Sequence, residues 1–513
     1  MSIARKILSN TLWQVIGKVI WSLMGVVSIK LVTNYLDRST YGEYTTIYDF
    51  TALFAIVADL GLFTIAVREM AKENGKEHIE KIIGNVLTVR GLTALISLAI
   101  GTAVAYLIPA YNGTHIPMGI LVISVATVIG LLAGTVSSVL QFYLRMAWSS
   151  FALIIGKLVT VLYIAATVFW WFPTNPNEGF VHLLAAWIFG TTITIVITYF
   201  AARQHIKIRF RFDRVFMKHL VVKALPYGLA LMLGTIYFRT GTIIMSFYGM
   251  KEQVAYFGVP MRVVEILQIV PHYFMNSVLP TLTVALMADR ARAGRIGKYS
   301  LYFMTAIALP TLVGGYFVAW PLTALVSSPQ FLSHRLADGT FIPGSEIGLQ
   351  ILLGAVMFNY LYAVLSYTFV AMGKQKEVLK ANAVGVVINI FCNIILAPRY
   401  GFIGAAISSV VTEIIIFSIL QYRMSKEGLH IFDGLFFIKT LVSSLVMGGV
   451  LYFAEPFASG LLQSKSVIIL LPLGAIVFAA MMFFTKALDK ELISKFRNES
   501  KIKSEQSTMD APL

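Results

Sequence analysis

Apolar stretches of about 20 residues alternate with short polar segments along the whole 513-residue chain. A helix of that length crosses the roughly 30 Å of hydrocarbon in a bilayer. The pattern predicts an all-α polytopic membrane protein with about fourteen transmembrane helices. We place the spans at 8–33, 42–66, 82–108, 118–140, 151–172, 181–202, 224–248, 255–282, 299–320, 347–372, 380–397, 401–422, 438–455 and 465–485.

A basic segment between the sixth and seventh spans divides the first twelve spans into two sets of six. Duplicated halves are common in transporters, so we expect two pseudo-symmetric six-helix lobes around a central cavity, plus two C-terminal helices. The predicted domains are an N-terminal lobe (1–202), a basic cytoplasmic linker (203–223), a C-terminal lobe (224–424), the last two helices (425–486) and a cytoplasmic tail (487–513).

Composition excludes a soluble protein. The chain is 58% hydrophobic with a mean hydropathy of +0.78, whereas soluble domains are about 45–50% apolar. The one cysteine, Cys392, lies inside a predicted span. A lone cysteine forms no disulfide framework and no cysteine metal site, so we interpret it as a small core residue.

The net charge of +16 follows the predicted topology. Of the 41 Lys and Arg residues, 30 lie in the terminal segments or in loops on the same side as the termini. Loops rich in Lys and Arg stay cytoplasmic, which predicts a multi-pass protein of the cytoplasmic (inner) membrane with both termini in the cytoplasm. We interpret the basic segment 203–223 as a linker at an anionic lipid surface rather than a nucleic-acid site.

Several charged residues fall inside the predicted spans or at their ends. At the bilayer centre such a side chain costs about 2.5–3.5 kcal/mol, so it normally faces a cavity, a partner or a substrate. Residues near a span's end can reach the interface instead, and Lys30, Glu43 and Lys157 are interpreted partly in that way. The full set is Lys18, Lys30, Glu43, Asp49, Asp59, Arg90, Lys157, Arg239, Arg262, Glu265 and Glu413.

A subset of these residues forms the predicted substrate site. Arg262 and Glu265 are three residues apart on one helix face and can pair. A weak internal repeat at a spacing of 213 aligns Asp49 with Arg262, and Asp59 with His272. The predicted lining is Lys18, Arg90, Arg239, Arg262, Asp49, Asp59 and Glu265, with His272 beside them.

This lining carries an excess of one positive charge and therefore favours an anion. Arginine offers forked donors that match phosphate oxygens. The alternative for Arg262 and Glu265 is an internal ion pair that holds the bundle together.

Glu413 is a lone carboxylate in the twelfth predicted span, without a basic residue three or four positions away. A buried carboxylate of this kind is either a neutral hydrogen-bonding residue or a protonatable coupling site. Glu413 and Glu265 are the candidate ion-coupling residues.

The motifs of ATP hydrolysis and metal-dependent catalysis are missing from the sequence. Gly17-Lys18, Gly156-Lys157 and Gly297-Lys298 lack the upstream glycine and the following hydroxyl of a phosphate-binding loop. We therefore predict a non-enzyme without catalytic residues, cofactor or metal.

Two stretches carry a resemblance to a known family. Near the C-terminus the chain reads Gly373-Lys374-Gln375-Lys376, a span with Asn382, Asn389 and Asn393, the turn Pro398-Arg399-Tyr400-Gly401-Phe402-Ile403-Gly404-Ala405-Ala406, and a span with Glu413. Near the N-terminus it reads Tyr35-Leu36-Asp37, Tyr41-Gly42-Glu43-Tyr44, Asp59-Leu60-Gly61-Leu62 and Arg68-Glu69. The chain resembles the polysaccharide flippases of the MOP (multidrug/oligosaccharidyl-lipid/polysaccharide) exporter superfamily.

The resemblance implies a flippase that moves a polyprenyl-diphosphate-linked oligosaccharide, such as an O-antigen repeat unit, across the membrane by alternating access. It implies an ion gradient (H⁺ or Na⁺) or the membrane potential as driving force. The implied partners are the lipid-linked substrate, membrane lipids, and a glycan polymerase and ligase.

Two alternatives remain open. The first is a cation-coupled multidrug or metabolite exporter of the same superfamily, which would favour a cavity dominated by carboxylates. The second is a membrane glycan polymerase or acyltransferase, which would carry catalytic acidic or histidine residues on a large outer loop.

Overall fold

The chain folds into α-helices almost throughout. The structure is a computed structural model, and it describes residues 3–59, 61–70 and 75–487. Its helices are α1 (Ile3–Tyr35), α2 (Arg38–Asp59), α3 (Leu62–Met70), α4 (Lys76–Leu107), α5 (Ile116–Phe142), α6 (Met146–Ala166), α7 (Pro176–Ala202), α8 (Arg214–Phe247), α9 (Lys251–Leu267), α10 (Ile269–Ala288), α11 (Arg290–Val326), α12 (Ser345–Ala371), α13 (Gln375–Lys426), α14 (Gly434–Leu462) and α15 (Val467–Phe484).

Short elements complete the described part of the chain. A two-residue antiparallel hairpin pairs β1 (His334–Arg335) with β2 (Phe341–Ile342). Short 3₁₀ turns lie at Pro109–Tyr111, Pro329–Phe331 and Gln463–Ser466, and a π-helical turn lies at Thr167–Trp171. Within the described residues, 11 helical stretches are long and apolar enough to cross a membrane. The predicted fold class, an all-α polytopic membrane protein, is confirmed.

Two predicted spans are each broken into two helices. The span at 42–66 divides between α2 and α3, where Gly61 adopts a left-handed backbone with φ of 70°, a conformation that glycine tolerates best. The span at 255–282 divides between α9 and α10, three residues before Pro271. Proline has no amide N–H for the carbonyl of Leu267, and the Tyr360 hydroxyl donates to that carbonyl instead, at 2.7 Å.

The number of spans stays a prediction. Helix α13 is 52 residues long and covers two predicted spans; its axis is interrupted at Gly401, where φ is 59°. The stretch Gly434–Phe484 is 51 residues long and also covers two. The predicted seventh span lies within α8, which is not among the 11 stretches.

The predicted linker at 203–223 is partly helical, because α8 already begins at Arg214. Asp213 caps this helix by accepting from the amide of Phe216 at 3.0 Å. The same carboxylate lies 2.9 Å from the Lys81 ammonium. These contacts lower the pKa of Asp213 below its usual range. The linker is therefore anchored to α4 rather than extended.

By its internal contacts the chain divides into two units. The first unit comprises Met1–Ile266, Ala324–Gly348 and Leu379–Thr412, and the second comprises Leu267–Thr323, Leu349–Val378 and Glu413–Leu513. These units do not follow the boundaries of the predicted lobes, which stay a prediction. The predicted tail at 487–513 lies outside the described residues except for its first residue.

Each unit has its own apolar core. In the first unit, Ile47, Phe50, Tyr111 and Phe180 are buried in one cluster. In the second unit, Val318 of α11 packs with residues of α14 and α15. The charged residues described next lie mainly on the helices of the first unit.

Candidate functional site

Two arginines and two carboxylates of the first unit form a compact network, named here the charge quartet: Asp49, Arg239, Arg262 and Glu265. Arg239 Nη1 donates to Asp49 Oδ1 at 2.6 Å and lies 2.9 Å from Glu265 Oε1. Arg262 Nη1 lies 2.8 Å from Glu265 Oε1, and Arg262 Nη2 lies 3.5 Å from Asp49 Oδ1. Helices α2, α8 and α9 each contribute to this network.

The quartet is internally neutral, because two guanidinium groups face two carboxylates. The Asp49 side chain is only 4% exposed, and a buried carboxylate is tolerated when it is paired and hydrogen-bonded. The predicted pairing of Arg262 with Glu265 is confirmed. The contacts agree with the alternative of an internal ion network, while Arg239 and Arg262 keep partial exposure of 18% and 22%.

The quartet has no net charge, whereas two lysines next to aromatic rings add two positive charges. Lys157 Nζ lies 4.4 Å from the ring centroid of Trp187 and 5.4 Å from that of Trp21. Lys18 Nζ lies 4.2 Å from the Trp21 ring. Cation–π contacts of this kind stabilise a desolvated ammonium by about 2 kcal/mol, less than a carboxylate partner would.

Lys157 differs from its sequence interpretation as a residue partly near a span's end. It lies close to the middle of the 21-residue helix α6 and is 5% exposed. Within the described residues it has no ion pair with a carboxylate. Its position inside the predicted span could have indicated that Lys157 is buried, but only the fold shows which groups surround it.

The two lysines lie within electrostatic range of the quartet, and their interactions with it differ in sign. Glu265 attracts the Lys18 ammonium, whereas Arg262 repels that of Lys157. Together the six residues comprise four cations and two anions, an excess of two positive charges. The predicted lining had an excess of one.

Arg90 and Asp59 form a separate pair rather than joining the quartet. The Arg90 side chain is 4% exposed, its Nη2 pairs with Asp59 and its Nη1 donates to Thr135 Oγ1 at 2.8 Å. Asp59 is the last residue of α2, next to the break at Gly61. Through these contacts the pair joins the end of α2 to α4 and α5.

The remaining predicted residues lie in the second unit. His272 is exposed on α10. Glu413 is 2% exposed, and Asn359 of α12 donates to its Oε1 at 3.0 Å. A neutral amide partner leaves the choice between a hydrogen-bonding and a coupling role open.

An aromatic row on α2, which the sequence interpretation missed, runs toward Lys157. The rings of Tyr41 and Tyr44 are 5.9 Å apart, those of Tyr44 and Tyr48 are 4.7 Å apart, and Tyr48 lies 5.5 Å from Trp187. The spacing of three and four residues along the sequence places the tyrosines on one helix face. That spacing can be read from the sequence, whereas the contact between Tyr48 and Trp187 cannot.

A cavity of about 290 Å³ lies beside Lys157, between α1, α3, α5, α6 and α7. Trp21 and Trp187 form part of its wall. Most of the wall surface is apolar, but six residues with hydroxyl groups also line it: Ser137, Ser149, Thr160, Thr191, Thr194 and Thr198. We name it the Lys157 cavity.

The N-terminal halves of α2 and α9 are closely packed, a region named here the α2–α9 contact. A Cβ atom at Gly42 would lie 2.0 Å from the carbonyl oxygen of Lys251, and one at Gly258 would lie 2.8 Å from a threonine hydroxyl of α2. Glu43 lies between Lys251 Nζ at 2.6 Å and His115 Nδ1 at 2.9 Å. Because only glycine permits such an approach, the two helices are closed against each other here.

Comparisons with known proteins identify a matching family and a relative of known name. A family described as "Polysaccharide biosynthesis protein" matches residues 7–286. A protein of Shigella flexneri, provisionally named an O-antigen transporter, is 22% identical over 82% of this chain and 98% of its own length.

The solved structures show the fold. A lipid II flippase MurJ in an inward closed conformation has a TM-score of 0.71 at 16% identity, covering 94% of this chain and 99% of that one. A multidrug resistance MATE family transporter of the MOP superfamily, in an inward-facing conformation, has a TM-score of 0.64 at 14% identity, covering 79% and 95%. These likenesses agree with a transporter fold.

Proposed function

Because the chain belongs to the polysaccharide biosynthesis protein family, whose pattern spans residues 7–286, we propose that it is a flippase for a lipid-linked oligosaccharide. The substrate is a polyprenyl-diphosphate-linked glycan, such as an O-antigen repeat unit. The chain moves it from the cytoplasmic to the outer leaflet of the cytoplasmic membrane. Both termini lie in the cytoplasm, as the distribution of Lys and Arg predicts.

The observation that carries this proposal is the excess of two positive charges among the charge quartet, Lys18 and Lys157, of which Lys157 is buried and the other cations are half-buried. Lys18 and Lys157 lie beside the neutral charge quartet, so the combined site attracts an anion. A diphosphate suits such a site, because Arg239 and Arg262 can redirect forked donors toward its oxygens. In this proposal Lys18, Arg239 and Arg262 contact the diphosphate, and the Arg90–Asp59 pair maintains the adjoining helices.

The same charges argue against a cation exporter. Asp49 and Glu265 are each bound by two arginines, so a cationic drug would have to displace a guanidinium from each carboxylate. The alternative of a glycan polymerase or acyltransferase receives no support from the relative in Shigella flexneri, which is provisionally named a transporter.

The proposal includes alternating access, for which the α2–α9 contact is the candidate gate. The contact contains Lys251 and adjoins Arg38, and both residues lie between predicted spans on the side opposite the termini. We propose that this contact closes the outer side while substrate enters from the cytoplasm, and that it separates when the glycan is released. Protonation or Na⁺ binding at Glu413 is the proposed coupling event, because Glu265 is held by two arginines.

A gene deletion tests the proposal. Loss of a flippase should leave lipid-linked oligosaccharide on the cytoplasmic leaflet while its synthesis continues, and surface glycan should disappear until the gene is restored. Normal translocation in the deletion strain would contradict the flippase and favour the exporter. Unextended glycan on the outer leaflet would favour the enzyme.

A further inference from the structure

The Lys157 cavity contains a buried charge whose partner is not supplied by the described part of the chain. Lys157 is 5% exposed and contacts the rings of Trp187 and Trp21. Arg262, a further cation, acts on Lys157, whereas the carboxylate of Glu265 acts on the adjoining Lys18. A buried ammonium without a carboxylate is costly, so an anionic ligand would stabilise it.

Aromatic groups complete the wall around Lys157. The Trp187 ring lies 5.5 Å from the Tyr48 ring, and its indole N–H interacts with the Tyr44 and Tyr48 hydroxyls. The Lys157 ammonium is therefore the charged donor that the cavity offers to a ligand.

The threonine hydroxyls supply acceptors. Thr160, Thr191 and Thr194 each donate to a backbone carbonyl four residues earlier, at 3.1, 2.7 and 2.9 Å. A hydroxyl has one hydrogen and two lone pairs, so these oxygens can still accept. A matching ligand therefore carries hydroxyl donors as well as an anionic group.

The volume of the cavity limits the size of the ligand that it can hold. The volume of about 290 Å³ is at the lower end of the roughly 300–1,000 Å³ range of small-molecule pockets, and a single sugar ring is of that class. A diphosphate would need more than the one ammonium present here. A chloride ion would use the ammonium and leave the hydroxyl acceptors unused.

We propose that the Lys157 cavity binds a carboxylate-bearing sugar, with the carboxylate at the Lys157 ammonium and the sugar hydroxyls at the threonine oxygens. The inference rests on the proposed function in one respect: the sugar belongs to the transported glycan. The repeat unit moved by this protein accordingly contains an acidic sugar.

Binding of monosaccharides to the purified full-length protein in detergent tests this. Glucuronate, glucose and chloride are titrated separately while tryptophan fluorescence is recorded. Glucuronate should bind at least 10-fold more tightly than glucose. Lys157→Gln should weaken glucuronate binding about 10- to 100-fold, the range of a charge-assisted hydrogen bond. Lys439→Gln is the matched control and should bind as the wild type does, because Lys439 contacts the carbonyl of Lys486 instead.

A second variant keeps the test decisive if Lys157→Gln fails to fold. A Cβ at Gly130 would have ordinary contact, at 3.7 Å, with the Thr191 methyl group, so Gly130→Leu extends a side chain into the cavity and leaves Lys157 in place. It should also abolish glucuronate binding. Equal affinity for glucose and glucuronate, saturation by chloride alone, or unchanged binding in a folded variant would each overturn the inference.

The two proposals can fail separately. If the deletion strain shows defective flipping but the protein does not bind glucuronate, the acidic-sugar inference is wrong and the flippase stands. If glucuronate binds through Lys157 but flipping is normal without the gene, the flippase proposal is wrong and the cavity remains a sugar-acid site.

Discussion

Neutralising Asp49 is the sharpest test of the charge quartet. In Asp49→Asn, Arg239 and Arg262 share Glu265 alone, and a buried side chain that is 4% exposed loses its charge. Removing one partner from a buried ion pair costs about 3–5 kcal/mol. Arg239, Arg262 and Glu265 are 18%, 22% and 30% exposed, so solvent offsets part of the loss. We expect a decrease of about 3 kcal/mol in the free energy of unfolding, at the lower end of that range.

A double-mutant cycle separates the pair from its surroundings. Asp49→Asn, Arg239→Gln and the double variant are unfolded by denaturant in the same detergent. The double variant should be less destabilised than the sum of the two single variants by about 1–3 kcal/mol, because the second change removes the uncompensated charge. Asp338→Asn, in the exposed hairpin loop, is the matched control and should stay within about 0.5 kcal/mol of wild type.

Two results would refute this reasoning. If Asp49→Asn unfolds like the control, the quartet contributes no stability as a unit. If the single effects are additive, Asp49 and Arg239 act independently, although the distance between their charged atoms is 2.6 Å.

Three further predictions concern the closed contact, a capped helix and the coupling residue. Gly42→Val should open the α2–α9 contact, because its Cβ would meet the Lys251 carbonyl oxygen at 2.0 Å; labelling of Ser39→Cys by a membrane-impermeant maleimide should increase, and unchanged labelling would contradict closure. Asp433 caps α14 and lies 2.8 Å from Lys298 Nζ, which lowers its pKa well below the usual range. Because the pKa is lower in the folded state, this stabilisation is complete above the ordinary pKa of about 4 and is lost as the pH falls through the lowered value. Asp433→Ala, which removes both the cap and the ion pair, should therefore lower the free energy of unfolding by about 1–2 kcal/mol at pH 7, and an unchanged value would contradict this. Glu413→Gln should make flipping independent of the proton or Na⁺ gradient in vesicles, and flipping that still follows the gradient would exclude Glu413 as the coupling site.

The sequence predicted the helical membrane fold well, because the length of an apolar run alone decides whether it can cross a bilayer. The family inferred from the segments around Tyr41 and Pro398 is confirmed. The breaks at Gly61 and before Pro271 fall inside two spans that were placed by their apolar length alone, which does not report where a helix ends. A local backbone requirement, rather than hydrophobicity, ends the helix there.

The candidate site was predicted only in part, and the reason differs from that for the helix breaks. The pairing of Arg262 with Glu265 follows from their spacing on one helix, so it could be predicted. The pairing of Arg90 with Asp59, and the position of Lys157 between two tryptophans, depend on how neighbouring helices rotate. A helix that is apolar on every face carries no periodic signal for that rotation.

Flipping by the purified protein tests the central claim most directly. The full chain is reconstituted into liposomes with a short-chain polyprenyl-diphosphate oligosaccharide, and an impermeant glycosidase reports which leaflet carries the glycan. The account predicts that all of the substrate becomes accessible with the wild-type protein, and only the outer-leaflet half with protein-free liposomes. Accessibility that stays at one half in the presence of folded protein, under an imposed ion gradient and membrane potential, would contradict it.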